Sequence, residues 1–242
     1  MKVLGLVFGL FFVAETAAAG DNLLFATEPY TPFTFQEATG PVRGISVDQV
    51  RGIMEGSGIT YSIEVMPWAR AIALAETQPD TCVFSAAQTP EREGRFKWIL
   101  PLAISRTILV KHRNAGVAAK TLDEAKAFTI GTYREDFTET ILRNMQFPKV
   151  DISANFDVTL AKLLRDRIDM MPMSQQIYDR LRKRGIEIES VAPLSSQRFG
   201  IACNLTVRTS TIARLQAKLE SMIGDGTQAE IYRTYGMEPP EH

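Results

Sequence analysis

Short apolar, β-rich runs alternate with longer amphipathic runs along most of the chain, and this alternation restricts the fold to parallel strands joined by helices. Residues 23–27 (LLFAT) read as a strand, ended by the turn Glu28-Pro29-Tyr30-Thr31-Pro32. Ser46 is a suitable N-cap for a helix in which Val47, Val50, Ile53 and Met54 recur at helical spacing until Gly56 and Gly58. Residues 60–66 alternate as a strand, and Pro67 suits the first turn of a helix over 68–77. Strands follow at 81–85 and 107–111. Thr121 and Glu124 have capping-box spacing. Beyond them the pattern predicts strands at 128–131, 168–173, 186–191 and 199–203. It predicts helices at 135–145, 157–165, 174–184, 210–223 and 227–235.

Of the 242 residues 45% are apolar and 23% charged, enough for one large or two small cores. A net charge of -1 gives no global reason to expect nucleic acid or an anionic membrane as partner. The one dense basic run, Arg180 to Arg184, reads as a solvated helix face. The N-terminus has the form of a signal peptide over residues 1–19. Lys2 precedes an apolar run, and Ala17-Ala18-Ala19 makes a small-residue cleavage site before Gly20. The run is too short to span a bilayer, and no cysteine follows it to carry a lipid. An exported, periplasmic protein is expected.

Cys82 and Cys203 are the only two cysteines. In an oxidising compartment they suit a disulfide; their apolar surroundings equally suit two buried thiols. Neither they nor His112 and His242 have metal-ligand or nucleophile-base spacing, so no metal, cofactor or catalytic set is expected.

Five segments in fixed order carry a resemblance. They are ATEPYTPF (26–33), GISVD (44–48), the block from Pro67-Trp68 to Trp98 containing CVFS and TPERE, FGIA (199–202), and GTQAEIY (226–232). In this order, behind a signal peptide, the chain resembles the extracytoplasmic solute-binding proteins of the polar-amino-acid type, the receptors of ABC importers. The resemblance implies a type II periplasmic-binding-protein fold, with two α/β lobes whose parallel-rich sheets are joined by two hinge strands. Lobe 1 would hold 20–106 and 204–242, lobe 2 would hold 112–198, and the hinge strands would be 107–111 and 199–203. The returning strand would lie beside 81–85, which favours a Cys82–Cys203 disulfide.

Receptors of this kind fix a solute with a few polar groups at strand ends and helix starts. By resemblance Arg92 holds a ligand carboxylate, for which its planar fork is suited; beside Glu91 and Glu93 it also suits a surface. Ser85 and Ala87 occupy contact positions of the adjoining loop. Tyr30 and Trp68 suit either a site wall or the core. Phe33 and Trp98 read as core. Arg70 is either a second positive group or solvent-facing, and Glu28 is placed to meet an ammonium. Between strand and helix in lobe 2, Thr132, Tyr133 and Arg134 occupy the anion-facing turn. Arg134 either clamps an acidic ligand or pairs with Glu135 or Asp136. At Ser174 the family commonly has an Asp for the ligand's α-ammonium. Its absence disfavours an ordinary amino acid unless Glu28 or Asp136 substitutes, since a buried ammonium needs a counter-charge. Convergence of Arg70, Arg92 and Arg134 would instead suit a small mono- or dicarboxylate.

The expected function is capture of a small polar, carboxylate-bearing solute, an amino acid or organic acid, by a monomeric receptor that delivers it to a membrane permease. Two alternatives stand beside it. One is a dehydratase-like enzyme with Glu28 or Asp136 as general acid. The other is an accessory or sensor protein for a membrane signalling partner.

Overall fold

The computed structural model of the protein describes residues 22–240; the expected signal peptide lies outside them. The strands are β1 (Asn22–Thr27), β2 (Thr60–Val65), β3 (Thr81–Ala87), β4 (Lys97–His112), β5 (Ile130–Tyr133), β6 (Val150–Ser153), β7 (Met170–Ser174) and β8 (Ile188–Cys203). The helices are α1 (Ile45–Met54), α2 (Trp68–Thr77), α3 (Pro90–Glu93), α4 (Leu122–Ala125), α5 (Phe137–Asn144), α6 (Phe156–Leu163), α7 (Gln175–Lys183), α8 (Thr209–Gly224) and α9 (Thr227–Thr234).

The strands are ordered β2-β1-β3-β8-β4-β7-β5-β6. Parallel pairing occupies the two ends, where β1 lies between β2 and β3, and β5 between β6 and β7. The middle is antiparallel, because β4 leaves one half and β8 returns to it. The two expected sheets are thus the two ends of one continuous ladder. Residues 81–87 and 199–203 pair on one side, and 107–111 pair with β7 on the other. Between these, residues 104–106 and 196–198 pair only with each other in the ladder. This two-stranded ribbon is the connection between the two lobes. Beside it, a Cβ on Gly200 would lie 2.3 Å from the Ile99 carbonyl oxygen, so the close approach there needs glycine.

The strands at 107–111 and 199–203 are the ends of much longer ones. Pro101 and Pro193 interrupt their sequence pattern, and each falls at a register shift of the β4–β8 pair, where a missing N–H is tolerated. The Ser46 cap expected for α1 is corrected. Gly44 takes the N-cap position, and Ser46 lies buried inside the helix, accepting a hydrogen bond from Ser85 at 2.8 Å. Thr132 and Tyr133 end β5 instead of lying in the turn after it.

One apolar core packs α1 and α8 against the face of the first lobe's sheet that carries Leu23, Phe25, Phe84 and Ile201. Another, around Leu109, Ile130, Leu142 and Met170, serves the second lobe. A third runs between them along the cleft, from Trp68 and Tyr232 to Phe156 and Met173. Cys82 and Cys203 face each other in the β3–β8 pair and are disulfide-bonded, with Cα atoms 3.9 Å apart.

Candidate functional site

The ends of β1 and β3 and the starts of α2 and α3 face the ends of β5 and β7 and the starts of α5 and α6 across a cleft. Strand C-termini and helix N-termini thus converge, the place where open α/β sheets bind ligands. The lobes are shut over a cavity of about 70 Å³, room for on the order of five water-sized groups.

Of the expected residues, Glu28, Tyr30, Trp68, Ser85, Ala87, Arg92, Tyr133 and Ser174 line this cavity. Thr132 is buried behind it and hydrogen-bonded to Thr138 at 2.6 Å. Arg70 and Arg134 are exposed and do not line it. The expected convergence of three arginines does not occur, for geometric reasons. Arg70 follows Trp68 by two helical positions, about 200° around the axis, so with Trp68 buried in the cleft Arg70 points away. Arg134 follows Tyr133, and successive side chains leave an extended chain on opposite sides.

Arg92 is 6% exposed, and its fork is already engaged. Nη2 donates to the Glu135 carbonyl oxygen at 2.6 Å, and Nη1 to the Ala87 carbonyl oxygen at 3.4 Å. Its guanidinium stacks 5.5 Å from the Trp68 ring centroid. Trp68 Nε1 donates to the same Glu135 oxygen at 2.8 Å. Two donors from the first lobe therefore hold one backbone carbonyl of the second. Glu135 sits at φ 61, a left-handed conformation that turns this carbonyl.

A second cross-cleft contact is carboxyl chemistry. The Tyr133 hydroxyl donates to Glu28 Oε1 at 3.0 Å, while Glu28 Oε2 has no protein partner. Asp136, the N-cap of α5, accepts from Thr138 N at 3.0 Å and from the Thr138 hydroxyl. Burial raises the pKa of both acids. For Glu28 burial comes first and the charge of Asp136 second, and the value rises to about 8. For Asp136 burial is opposed by the Thr138 donors and by Arg92. Burial lowers the Arg92 pKa, against the pull of Asp136.

The walls are aromatic. Tyr30 meets Phe156 edge-on at 4.8 Å, and Phe137 meets Phe199 at 5.6 Å. Phe33 lines the cavity as well as the core. Ser174 caps α7, its hydroxyl accepting from Ile177 N at 3.2 Å. Residues not anticipated include Phe137, Phe156, Ser105, Thr107 and Gln176. Two signals were present. Asp136-Phe137 and Asn155-Phe156 repeat a cap followed by phenylalanine, and Ala103, Ser105 and Thr107 alternate as small residues along β4. Thr107 Oγ1 and Gln176 Oε1 join Glu28 Oε2 as buried atoms of this wall without a protein partner.

The sequence profile of the bacterial extracellular solute-binding proteins, family 3, matches residues 23–238. The chain belongs to that family. Among curated protein sequences none matches it. Many solved structures share the fold of this family 3 protein, three of them as follows. A histidine kinase sensor domain with similarity to periplasmic binding proteins has a TM-score of 0.81 at 16% identity, covering 91% of this chain and 99% of its own. The arginine-, lysine-, histidine-binding protein ArtJ from Geobacillus stearothermophilus has 0.80 at 18%, with 90% and 96% covered. An ancestral arginine-binding protein bound to arginine has 0.78 at 19%, with 89% and 98% covered. The two-lobed periplasmic-binding-protein architecture follows. The family is one of binding proteins, and this family 3 chain is a ligand-binding protein, not an enzyme. Among its described residues no helix is long and apolar enough to cross a membrane.

Proposed function

We propose that the chain is an extracytoplasmic receptor whose lobes close on a small solute carrying an ammonium or other N–H-rich cationic group, an amino acid in the first instance. The observation that carries this is the cleft's pair of buried carboxyls, with Glu28 Oε2 unpartnered. The other two unpartnered wall atoms, on Thr107 and Gln176, are also oxygens. Of these, ionised Glu28 Oε2 and Gln176 Oε1 only accept and are completed by hydrogens from the ligand, while the Thr107 hydroxyl either donates or accepts. The carboxylate of an amino acid would meet the remaining N–H groups of Arg92 beside Ser85. Glu28 and Asp136 thus supply the counter-charge that Ser174 lacks. This favours amino acids over the dicarboxylates that three arginines would have suited. The arginine-binding neighbours support the same class.

Closure would bend the ribbon of residues 104–106 and 196–198. Delivery to the permease of an ABC importer is the role we propose from the family resemblance, with a monomer as the working unit. The sensor-domain neighbour, covered over 99% of its length, favours signalling to a membrane partner as the second reading.

Thermal unfolding against L-arginine, L-glutamine, L-glutamate and succinate tests the ligand class. A solute at 1,000 times its dissociation constant adds roughly 4 kcal/mol, a rise of about 10 °C for a chain of this size. A rise with an amino acid is expected; a rise with succinate alone would overturn the reading. For the best solute, Trp68→Phe keeps the ring and removes the donor to Glu135. Calorimetric titration should then show affinity weakened about two- to tenfold.

A further inference from the structure

We propose that Glu28 is the point at which a proton and a ligand cation compete, so that the cleft closes empty on a protonated Glu28 and closes on a solute of net charge +1 with Glu28 ionised. The cation half of this rests on the receptor reading above; the proton half does not.

The argument is one of charge and hydrogen count. In the closed cleft Glu28 is 7% exposed. One oxygen takes the Tyr133 hydroxyl from the opposite lobe, and the other has no donor. The titratable groups around it come from every element that faces it. Asp136 stands at the start of α5 and Asp157 on α6, both acidic; Tyr133 ends β5, and Tyr30 lies in the turn after β1. The buried cation in this wall, Arg92, acts on Asp136 and donates to two backbone carbonyls. Asp136 has two Thr138 donors and the N-terminus of α5 to hold its charge. Glu28 has a single hydroxyl. With both acids ionised and Arg92 charged, the shut cleft holds one negative charge in excess. A buried charge without a partner is costly, so closure needs one positive charge at Glu28. A proton supplies it in the empty cleft; a cationic ligand supplies it in the loaded one.

Opening returns Glu28 to water and to its ordinary value of 4.5, whereas the closed empty cleft raises it to about 8. The closed form therefore binds more protons between those values. Its advantage over the open form is complete below 4.5 and is lost as pH rises toward 8, by up to about tenfold per pH unit in the closed-to-open ratio. A ligand of net positive charge follows the opposite course. A solute of net charge +1 neutralises the cleft with Glu28 ionised, whereas a zwitterion leaves the proton in place.

Small-angle scattering of the ligand-free protein at pH 5.5 and pH 9 tests the proton half. The wild type should be more compact at pH 5.5. Glu28→Gln, which carries its hydrogens at any pH, should be equally compact at both, with circular dichroism confirming its fold. A wild type whose radius does not change, or a variant that still expands at pH 9, would overturn the proposal; the second result would assign the proton to Asp136. Thermal shifts with L-arginine and L-glutamine test the cation half. The wild type should favour L-arginine more at pH 9 than at pH 5.5, and Glu28→Gln should abolish that change. A preference independent of pH overturns the cation half. If neither amino acid binds, the receptor reading fails for this ligand class while the scattering result stands.

Discussion

Removal of the Cys82–Cys203 disulfide is expected to lower the free energy of unfolding by about 4 kcal/mol. The two cysteines are 121 residues apart in sequence, and the bond closes a loop containing the whole second lobe. Tying so long a loop removes much of the freedom of the unfolded chain, worth roughly 4–5 kcal/mol at this length. That is a large part of the roughly 5–15 kcal/mol that holds an ordinary domain together. The bridge joins directly opposed residues in the first lobe, both fully buried, so its loss weakens the β3–β8 pair and leaves the second lobe's core untouched. Denaturant titration of the Cys82→Ala, Cys203→Ala double variant should show the drop in midpoint. Reduction of the wild type should reproduce most of it, which separates loss of the bond from loss of two sulfur atoms in the core. A difference below about 1 kcal/mol would mean that the unfolded chain is already compact around this pair.

Arg92→Ala should weaken solute binding about tenfold to a hundredfold. The guanidinium joins the lobes through the Glu135 carbonyl, steadies the Trp68 ring and offsets the buried Asp136. A hydrogen bond from a charged group contributes roughly 1.5–3 kcal/mol, and each 1.4 kcal/mol is about tenfold in affinity. The loss also strands Asp136 without its cation, which moves that acid further toward its protonated form. Arg92→Lys keeps a charge but not a planar fork able to reach two carbonyls, so it should recover part of the affinity only. Calorimetric titration of the three proteins with the best solute of the panel gives the order wild type, lysine, alanine. Equal affinity in all three would show that the buried Arg92 serves the packing of the cleft wall and not the solute.

The fold was legible because its periodicities are long and clean. The apolar faces of α1 and α2 and the runs of β1 and β3 sit where the sequence places them. What escaped had local causes. Pro101 and Pro193 hid the length of β4 and β8, since proline inside a run argues against a central strand, and only the partner strand reveals the register shift that accommodates it. β6 is a short edge strand whose residues 150–152 are not buried, so it carries no apolar signature. In the site, Glu28, Tyr30, Trp68 and Arg92 were recognisable from their positions at strand ends and helix starts. Arg70 and Arg134 were misjudged because a loop position fixes the backbone's place but not the side a residue faces. Phe137 and Phe156 were overlooked because an aromatic at a first helical turn reads equally well as core. The engagement of Arg92 with two carbonyls could not have been foreseen, since its Glu135 partner comes from across the cleft.

The path of the chain through the sheet also sets an order of events in time. The second lobe is made from one uninterrupted stretch, whereas the first needs β8, α8 and α9, which arrive last. Synthesis from the N-terminus therefore presents β1, β2 and β3 before their closing strand exists. The β3 edge must wait, unpaired and apolar, until about residue 199 is available. The later-made lobe is the first that can complete itself. Contacts between distant parts of a chain form slowly, so the early half of this molecule is the half most exposed to mispairing and to capture by chaperones while it waits.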